Sequence, residues 1–190
     1  MSCKKPKIGV LGLQGAFQKH IEILERLGVQ TILVKYPEEI AGLTGIIIPG
    51  GESTTMTKLI AEMAFREQLI NFRGGIFGTC AGAIMLAREH GDSRIAPLNR
   101  VPIGVVRNAY GRQIDSFTAE INLAYDPQPF PAVFIRAPKL KVLEQQVTVL
   151  GKLNDEIVMV KYNRDLVATF HPELTSDTRI HEYFVRMLSE

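Results

Sequence analysis

Residues 75–86 read GIFGTCAGAIML. An apolar run, Ile76-Phe77, meets Gly78-Thr79-Cys80-Ala81-Gly82, and a second apolar run follows without a break. The pattern is a short buried strand turned sharply into a helix, with a cysteine on the corner. A strand passing straight into a helix is the repeating unit of an α/β sheet. The same segment also poses the functional question. Cysteine is a small hydrophobe and is often simply buried, whereas a cysteine on a glycine-flanked corner has the placement of a nucleophile.

Working outward, Lys7 to Leu13 (KIGVLGL) is a nearly continuous apolar run, as expected of a strand buried on both faces. Residues 17–27 place Phe17, Ile21, Leu24 and Leu27 on one helical face, and Gly28 is a stop signal. Residues 31–34 and 45–49 read as strands, 54–71 as one helix, and 75–78 as the fourth strand. This alternation, with short connections, predicts a three-layer fold: a mostly parallel, flavodoxin-like central sheet with helices on both faces. The second half is richer in strands, at 103–107, 132–136, 146–150, 156–161 and 166–170, some of them antiparallel additions, and closes with a helix over 177–188. Pro127, Pro129 and Pro131 mark a loop rather than a boundary, so residues 1–190 are expected to form one α/β domain.

Composition narrows the function. At 190 residues the chain can bury roughly 70% of the surface it exposes when unfolded. A net charge of +2 without a basic run gives no reason to expect a nucleic-acid partner. The basic opening Lys4-Lys5-Pro6-Lys7 lacks the apolar stretch of a signal peptide, and no apolar run nears the ~20 residues that span a bilayer, so no membrane association is expected. Two cysteines, Cys3 and Cys80, without a CxxC pair, argue against a zinc site or a redox disulfide. No metal or cofactor is expected, and the chain reads as cytoplasmic.

In parallel sheets, ligands bind beyond the carboxyl ends of the strands. Three such ends carry chemistry: PGGES at 49–53, GTCAG at 78–82 and FHPEL at 170–174. Gly-x-Cys-x-Gly has the shape of a nucleophile elbow, in which small neighbours let the backbone turn tightly. The helix start beyond it favours a thiolate, and the Ala81 N–H is placed to donate to a developing oxyanion. His171 and Glu173, two apart in an extended segment, project to the same side, so the carboxylate can orient the imidazole. Taken alone, the pair also reads as a capped strand end with a surface histidine. The glycines after Pro49 allow close backbone approach, and the Gly51 N–H is the second candidate oxyanion donor, while Ser53 or Thr54 caps the next helix. No GxxxxGK[ST] phosphate loop is present, and Gly9, Gly12 and Gly15 have the wrong spacing for a dinucleotide fingerprint. Arg107 and Arg136 suit a carboxylate substrate if they lie at the pocket rim. His20, His90 and His181 have no evident partners and read as structural or surface residues.

Together these segments resemble class I (triad-type) glutamine amidotransferases, and more narrowly the glutaminase subunits of pyridoxal 5′-phosphate synthases. The matching stretches are VLGLQG at 10–15, PGGESTTM at 49–56, GTCAG at 78–82, RNAYGRQ at 107–113, FIRAP at 134–138 and FHPELT at 170–175. The resemblance implies a Cys80 nucleophile, a His171 base and a Glu173 orienting acid. It implies a pocket for L-glutamine formed by Gly51, Glu52, Ser53, Arg107, Ile135 and Arg136, with Gln14 near the oxyanion site. It further implies hydrolysis to L-glutamate and ammonia, with the ammonia channelled to a partner synthase subunit in a hetero-oligomer for vitamin B6 biosynthesis. Residues 88–104 depart from the family's pattern. Two other readings remain open from the residues: another cysteine hydrolase, such as a peptidase or γ-glutamyl hydrolase, and a non-catalytic flavodoxin-like binding module.

Overall fold

The computed structural model describes residues 6–106 and 116–189. The chain opens with β1 (Lys7–Leu11), α1 (Phe17–Arg26), β2 (Gln30–Val34), a 3₁₀ turn at Pro37–Ile40 and β3 (Gly45–Ile48). Then come α2 (Ser53–Glu62), α3 (Arg66–Ile70), β4 (Gly75–Thr79) and α4 (Ala81–Leu86). The second half runs β5 (Ala87–Glu89), β6 (Val101–Val106), β7 (Ser116–Leu123), β8 (Asp126–Ile135), β9 (Lys139–Val142), β10 (Thr148–Leu153), β11 (Glu156–Tyr162), β12 (Asp165–Ala168) and α5 (Arg179–Ser189).

Among the described residues, nine strands form one sheet in the order β2-β1-β3-β4-β12-β11-β10-β7-β8. The five from β2 to β12 are parallel, and β11, β10, β7 and β8 add on antiparallel. The α/β expectation therefore holds, including its antiparallel extension. A second sheet, β5-β6-β9, stands apart. Burial on both faces explains the unbroken apolar runs. Ile46 and Ile48 pack with α2, α3 and α4 on one side, whereas Ile47 packs with α1 and α5 on the other.

Three local expectations are corrected. Residues 54–71 form two helices, because Ala64 adopts φ +58, a left-handed conformation that ends α2 and lets Phe65 enter the core. Pro127, Pro129 and Pro131 lie within β8 rather than in a loop. They alternate outward while Phe130, Ala132 and Phe134 are buried, and β8 is an edge strand, where a missing N–H is tolerated. Strands β5, β7 and β9 add to those expected from the sequence.

Residues 88–104 acquire a structural role through Arg100. Its guanidinium binds Asp165 through Nε (2.9 Å) and Nη2 (3.0 Å) and donates from Nη1 to the carbonyls of Leu69, Ile70 and Phe72. Asp165 also accepts from the Ile76 N–H at 2.8 Å, so one ion pair ties the α3–β4 connection to the start of β12. Burial pushes the Asp165 carboxyl up, and the arginine pulls it back toward the ionised form. Replacing Arg100 by methionine strands that carboxylate. The expected cost is about 3–5 kcal/mol, measured by urea denaturation, against less than about 1 kcal/mol for an ordinary surface arginine.

Candidate active site

The strands β3, β4 and β12 are neighbours and parallel, so the three suspicious segments emerge at one edge of the sheet. PGGES leaves β3, Cys80 follows β4, and His171 follows β12 by three residues.

Cys80 occupies φ +48, ψ −102, a left-handed conformation that L side chains rarely adopt. The flanking glycines make the corner possible. A Cβ on Gly78 would stand 2.5 Å from the Gly82 carbonyl oxygen, and one on Gly82 would stand 2.1 Å from that of Ile48. The Cys80 N–H donates to the Ala168 carbonyl at 2.9 Å, which fastens the corner to β12. The thiol is 7% exposed and faces a cavity of about 600 Å³. Lining it are Gly51, Glu52, Ser53, Cys80, Ala81, Ile84, Ser116, Ile135, Arg136, Pro138 and His171. A larger cleft of about 790 Å³ beside α1 contains no nucleophilic side chain in a triad and is not the reacting centre.

His171 and Glu173 meet as expected but by a different route. The segment is not extended: Pro172–Leu174 is a single 3₁₀ turn with Pro172 at its first position. His171 Nδ1 lies 2.7 Å from Glu173 Oε1. Burial pushes the imidazole pKa down, but interaction with Cys80 and the hydrogen bond and charge of Glu173 outweigh it and raise it to about 10. Burial pushes the Glu173 carboxyl up, and His20 and His171 hold it below the usual carboxylate range. The site therefore carries an imidazolium facing the sulfur and a carboxylate behind it.

The glycine loop crosses directly above these groups. A Cβ on Gly50 would be 2.3 Å from His171 Cε1 and 3.1 Å from Cys80 Cβ. Gly15, at φ +83, approaches so closely that its Cβ would strike the Gly50 carbonyl oxygen at 1.7 Å, which accounts for the second glycine of VLGLQG. Gln14 does not line the cavity. Its carboxamide clamps the loop, donating to the Glu52 carbonyl at 2.5 Å and accepting from the Glu52 N–H at 3.4 Å. The helix cap is Glu52, not Ser53 or Thr54. Its carboxylate accepts from the N–H groups of Thr54 (3.1 Å) and Thr55 (2.7 Å). The Thr54 hydroxyl and those N–H groups lower its pKa to about 2. Glu52 lines the cavity with its carboxylate engaged in the cap and its backbone groups in the Gln14 clamp.

The β7–β8 hairpin curls back over this edge. His171 N–H donates to the Val133 carbonyl at 2.8 Å, and the Cys80 sulfur lies 3.6 Å from the Ile135 carbonyl oxygen. Ile135 and Arg136 thereby reach the cavity, Arg136 at a left-handed φ of +45. Arg107 and the RNAYGRQ stretch lie outside the described residues. Among the described residues no group of His, Cys, Asp and Glu is arranged to hold a metal. Among the described residues no helix is long and apolar enough to cross a membrane.

Two residues that read as structural or surface positions in the sequence are wired to the triad. His20 and His181 are fully buried and paired Nδ1 to Nε2 at 2.9 Å, and His20 Nε2 approaches Glu173 Oε2 at 3.4 Å. The overlooked signal is spacing. His20 sits three after Phe17 and four before Leu24, on the apolar stripe of α1.

In Cys80→Ala, His171 loses one of the interactions that raise it. Its ring should then release its proton at a lower pH than the wild-type value of about 10, as read by NMR titration of the ring protons. An unchanged midpoint would mean that sulfur and ring do not interact.

The SNO glutamine amidotransferase family profile matches residues 10–190. The chain is 46% identical over 183 residues to pyridoxal 5′-phosphate synthase subunit PdxT of Carboxydothermus hydrogenoformans, covering 94% of this chain and 96% of the relative. It is 47% identical over 191 residues to the subunit of the same name from Deinococcus radiodurans, covering 96% and 97%. A crystal structure of a glutamine amidotransferase superposes with a TM-score of 0.90 at 40% identity, covering 96% of this chain and 99% of the other. The structure of PurLQS from Thermotoga maritima, at TM-score 0.66 and 13% identity, covering 97% of this chain and 96% of the other, shares the fold. The chain belongs to the SNO glutamine amidotransferase family.

Proposed function

We propose that residues 1–190 act as one glutaminase domain, the subunit of a pyridoxal 5′-phosphate synthase that hydrolyses L-glutamine and supplies the ammonia to a partner synthase subunit. The observation that carries the reading is the strained Cys80 corner sharing a cavity with His171, whose ring is backed by Glu173 at 2.7 Å. Its family and its near full-length similarity to PdxT subunits support it.

The chemistry follows from the groups present. The Cys80 thiolate attacks the side-chain amide carbon of glutamine, and the N–H groups of Gly51 and Ala81 receive the oxyanion. The first-turn N–H of a helix has no intrahelical acceptor, which suits Ala81 to this role. As the C–N bond breaks, His171 gives its proton to the departing nitrogen, leaving ammonia and a glutamyl thioester. The neutral ring next takes a proton from water, which attacks the thioester. The tetrahedral intermediate collapses to glutamate, and the sulfur is restored as thiolate opposite the imidazolium. Glu173 holds the ring in orientation throughout. Arg136, with Arg107, binds the glutamine carboxylate through the forked geometry of a guanidinium. Ser53, Ile135 and Glu52 complete the pocket wall.

A peptidase reading requires a cleft open to a longer chain, whereas the curled β7–β8 hairpin bounds this cavity at Ile135 and Arg136. The test is ammonia release from glutamine with the synthase partner present. Cys80→Ala should lower kcat by at least about 10³-fold. Undiminished ammonia production, or preferred turnover of γ-glutamyl peptides, would end the assignment.

A further inference from the structure

A buried polar chain runs behind the triad, and the mechanism above does not use it. Glu173 gives one oxygen, Oε1, to His171. Its other oxygen, Oε2, has no partner at ordinary hydrogen-bond geometry among the described residues, yet His20 Nε2 stands 3.4 Å from it. The same nitrogen is 3.3 Å from Thr79 Oγ1, and His20 Nδ1 is 2.9 Å from His181 Nε2. His20 and His181 are completely buried, and Glu173 is 3% exposed.

Proton bookkeeping selects one arrangement. An ionised carboxylate only accepts. Were His20 to present a lone pair at Nε2, it could accept from the Thr79 hydroxyl at 3.3 Å, but it would still set an acceptor against Glu173 Oε2 away from water. Its Nδ1–H would then occupy His181 Nε2 and place the remaining His181 proton on Nδ1, which has no partner. A buried, unpaired N–H is costly and rare. The opposite assignment satisfies every N–H. His20 Nε2–H is shared between Thr79 Oγ1 at 3.3 Å and Glu173 Oε2 at 3.4 Å, His181 Nε2–H donates to His20 Nδ1, and only the lone pair of His181 Nδ1 is left without a donor. Burial pushes the pKa of both rings down, in His20 against the pull of Glu173, so both are neutral and one proton each is the right count. Phe77 stands edge-on to both rings, at 6.3 Å and 80° to His20 and 5.8 Å and 74° to His181, and fixes their planes.

We propose that His20 is a positioning residue of the triad: its Nε2–H holds the outer oxygen of Glu173, and His181, by donating to His20 Nδ1, locks the tautomer that makes this possible. With both oxygens held, the carboxylate cannot rotate away from His171. Neither His20 nor His181 lines the cavity, so the effect reaches glutamine only through Glu173 and His171. The proposal rests on the triad roles assigned above.

Two substitutions separate positioning from packing. His20→Asn reaches only as far as Nδ1, keeps an acceptor for His181 and withdraws the donor from Glu173. His20→Gln reaches the Nε2 position and restores a donor there. With the synthase partner present, His20→Asn should lower kcat for glutamine about 10–100-fold while KM stays within about 2-fold, and His20→Gln should recover most of the loss. Both variants shed similar packing, so their melting temperatures should fall together. Equal activity in the two, or activity that simply tracks melting temperature, overturns the proposal. Nitrogen NMR of the histidines in the wild-type chain alone gives a readout independent of turnover. It should find Nε2–H on both rings. Nδ1–H on His20 would refute the proposal even if His20→Asn failed to fold. If the wild-type chain with its synthase releases no ammonia from glutamine, the glutaminase reading falls, and the tautomer measurement still decides whether Glu173 is held as described.

Discussion

A cysteine held at φ +48 is the constraint on which the rest of the molecule depends. A side chain in that region costs of order 1–3 kcal/mol and persists only where the surroundings over-determine it. Here they do so from three sides. Gly82 packs its backbone against the Ile48 carbonyl of β3, Gly78 packs against Gly82, and the Cys80 N–H is bound by Ala168 of β12. The strain is thus sustained by the two strands that flank β4 in the parallel sheet, and the same two strands deliver the glycine loop and the histidine. Fold and site are one construction: the contacts that force the sulfur outward also bring its partners to it.

Behind the corner, the polar groups stand in series. Sulfur, His171, Glu173, His20 and His181 form a line running inward from the cavity floor. In a region with little water each member depends heavily on the next, because an unpaired charge or donor there costs far more than at the surface. This is why Glu173 remains ionised although nearly sealed from solvent, and why His171 keeps its proton although burial opposes it. Phe77, from the strand that carries Cys80, touches both inner imidazoles edge-on, so the hydrophobic core itself sets the orientation of the polar line.

The antiparallel half serves the parallel half. The sheet extends through β11, β10 and β7, and the edge strand β8 curls until Phe130 and Phe134 pack on Phe170, with ring centroids 6.0 and 5.6 Å away. That curl carries Ile135 and Arg136 to the sulfur. On the opposite end of the central strands, the Arg100–Asp165 pair joins the segment before β6 to the start of β12. The strand bearing His171 is consequently anchored at both ends.

The order of the parallel elements, the corner at Cys80 and the meeting of PGGES, GTCAG and FHPEL were all legible in the sequence. Each is encoded locally: an apolar run without alternation, glycines flanking a turn, a strand followed at once by a helix. Parallel connection rules then bring successive strand ends to one edge. The tertiary structure alone decided the rest. The prolines of β8 read as a loop because nothing local says that a strand lies at an edge with its N–H groups unneeded. Ala64 splits a helix that periodicity leaves whole, since the gain is the burial of Phe65 in a core built by other segments. Glu52, rather than its serine or threonine neighbours, caps α2 because the Gln14 clamp fixes the backbone entering the helix. His20 and His181 lie 161 residues apart, and no periodicity records that two such side chains share a proton. A histidine's role is set by what buries it and what faces each ring nitrogen, and both are properties of the assembled fold.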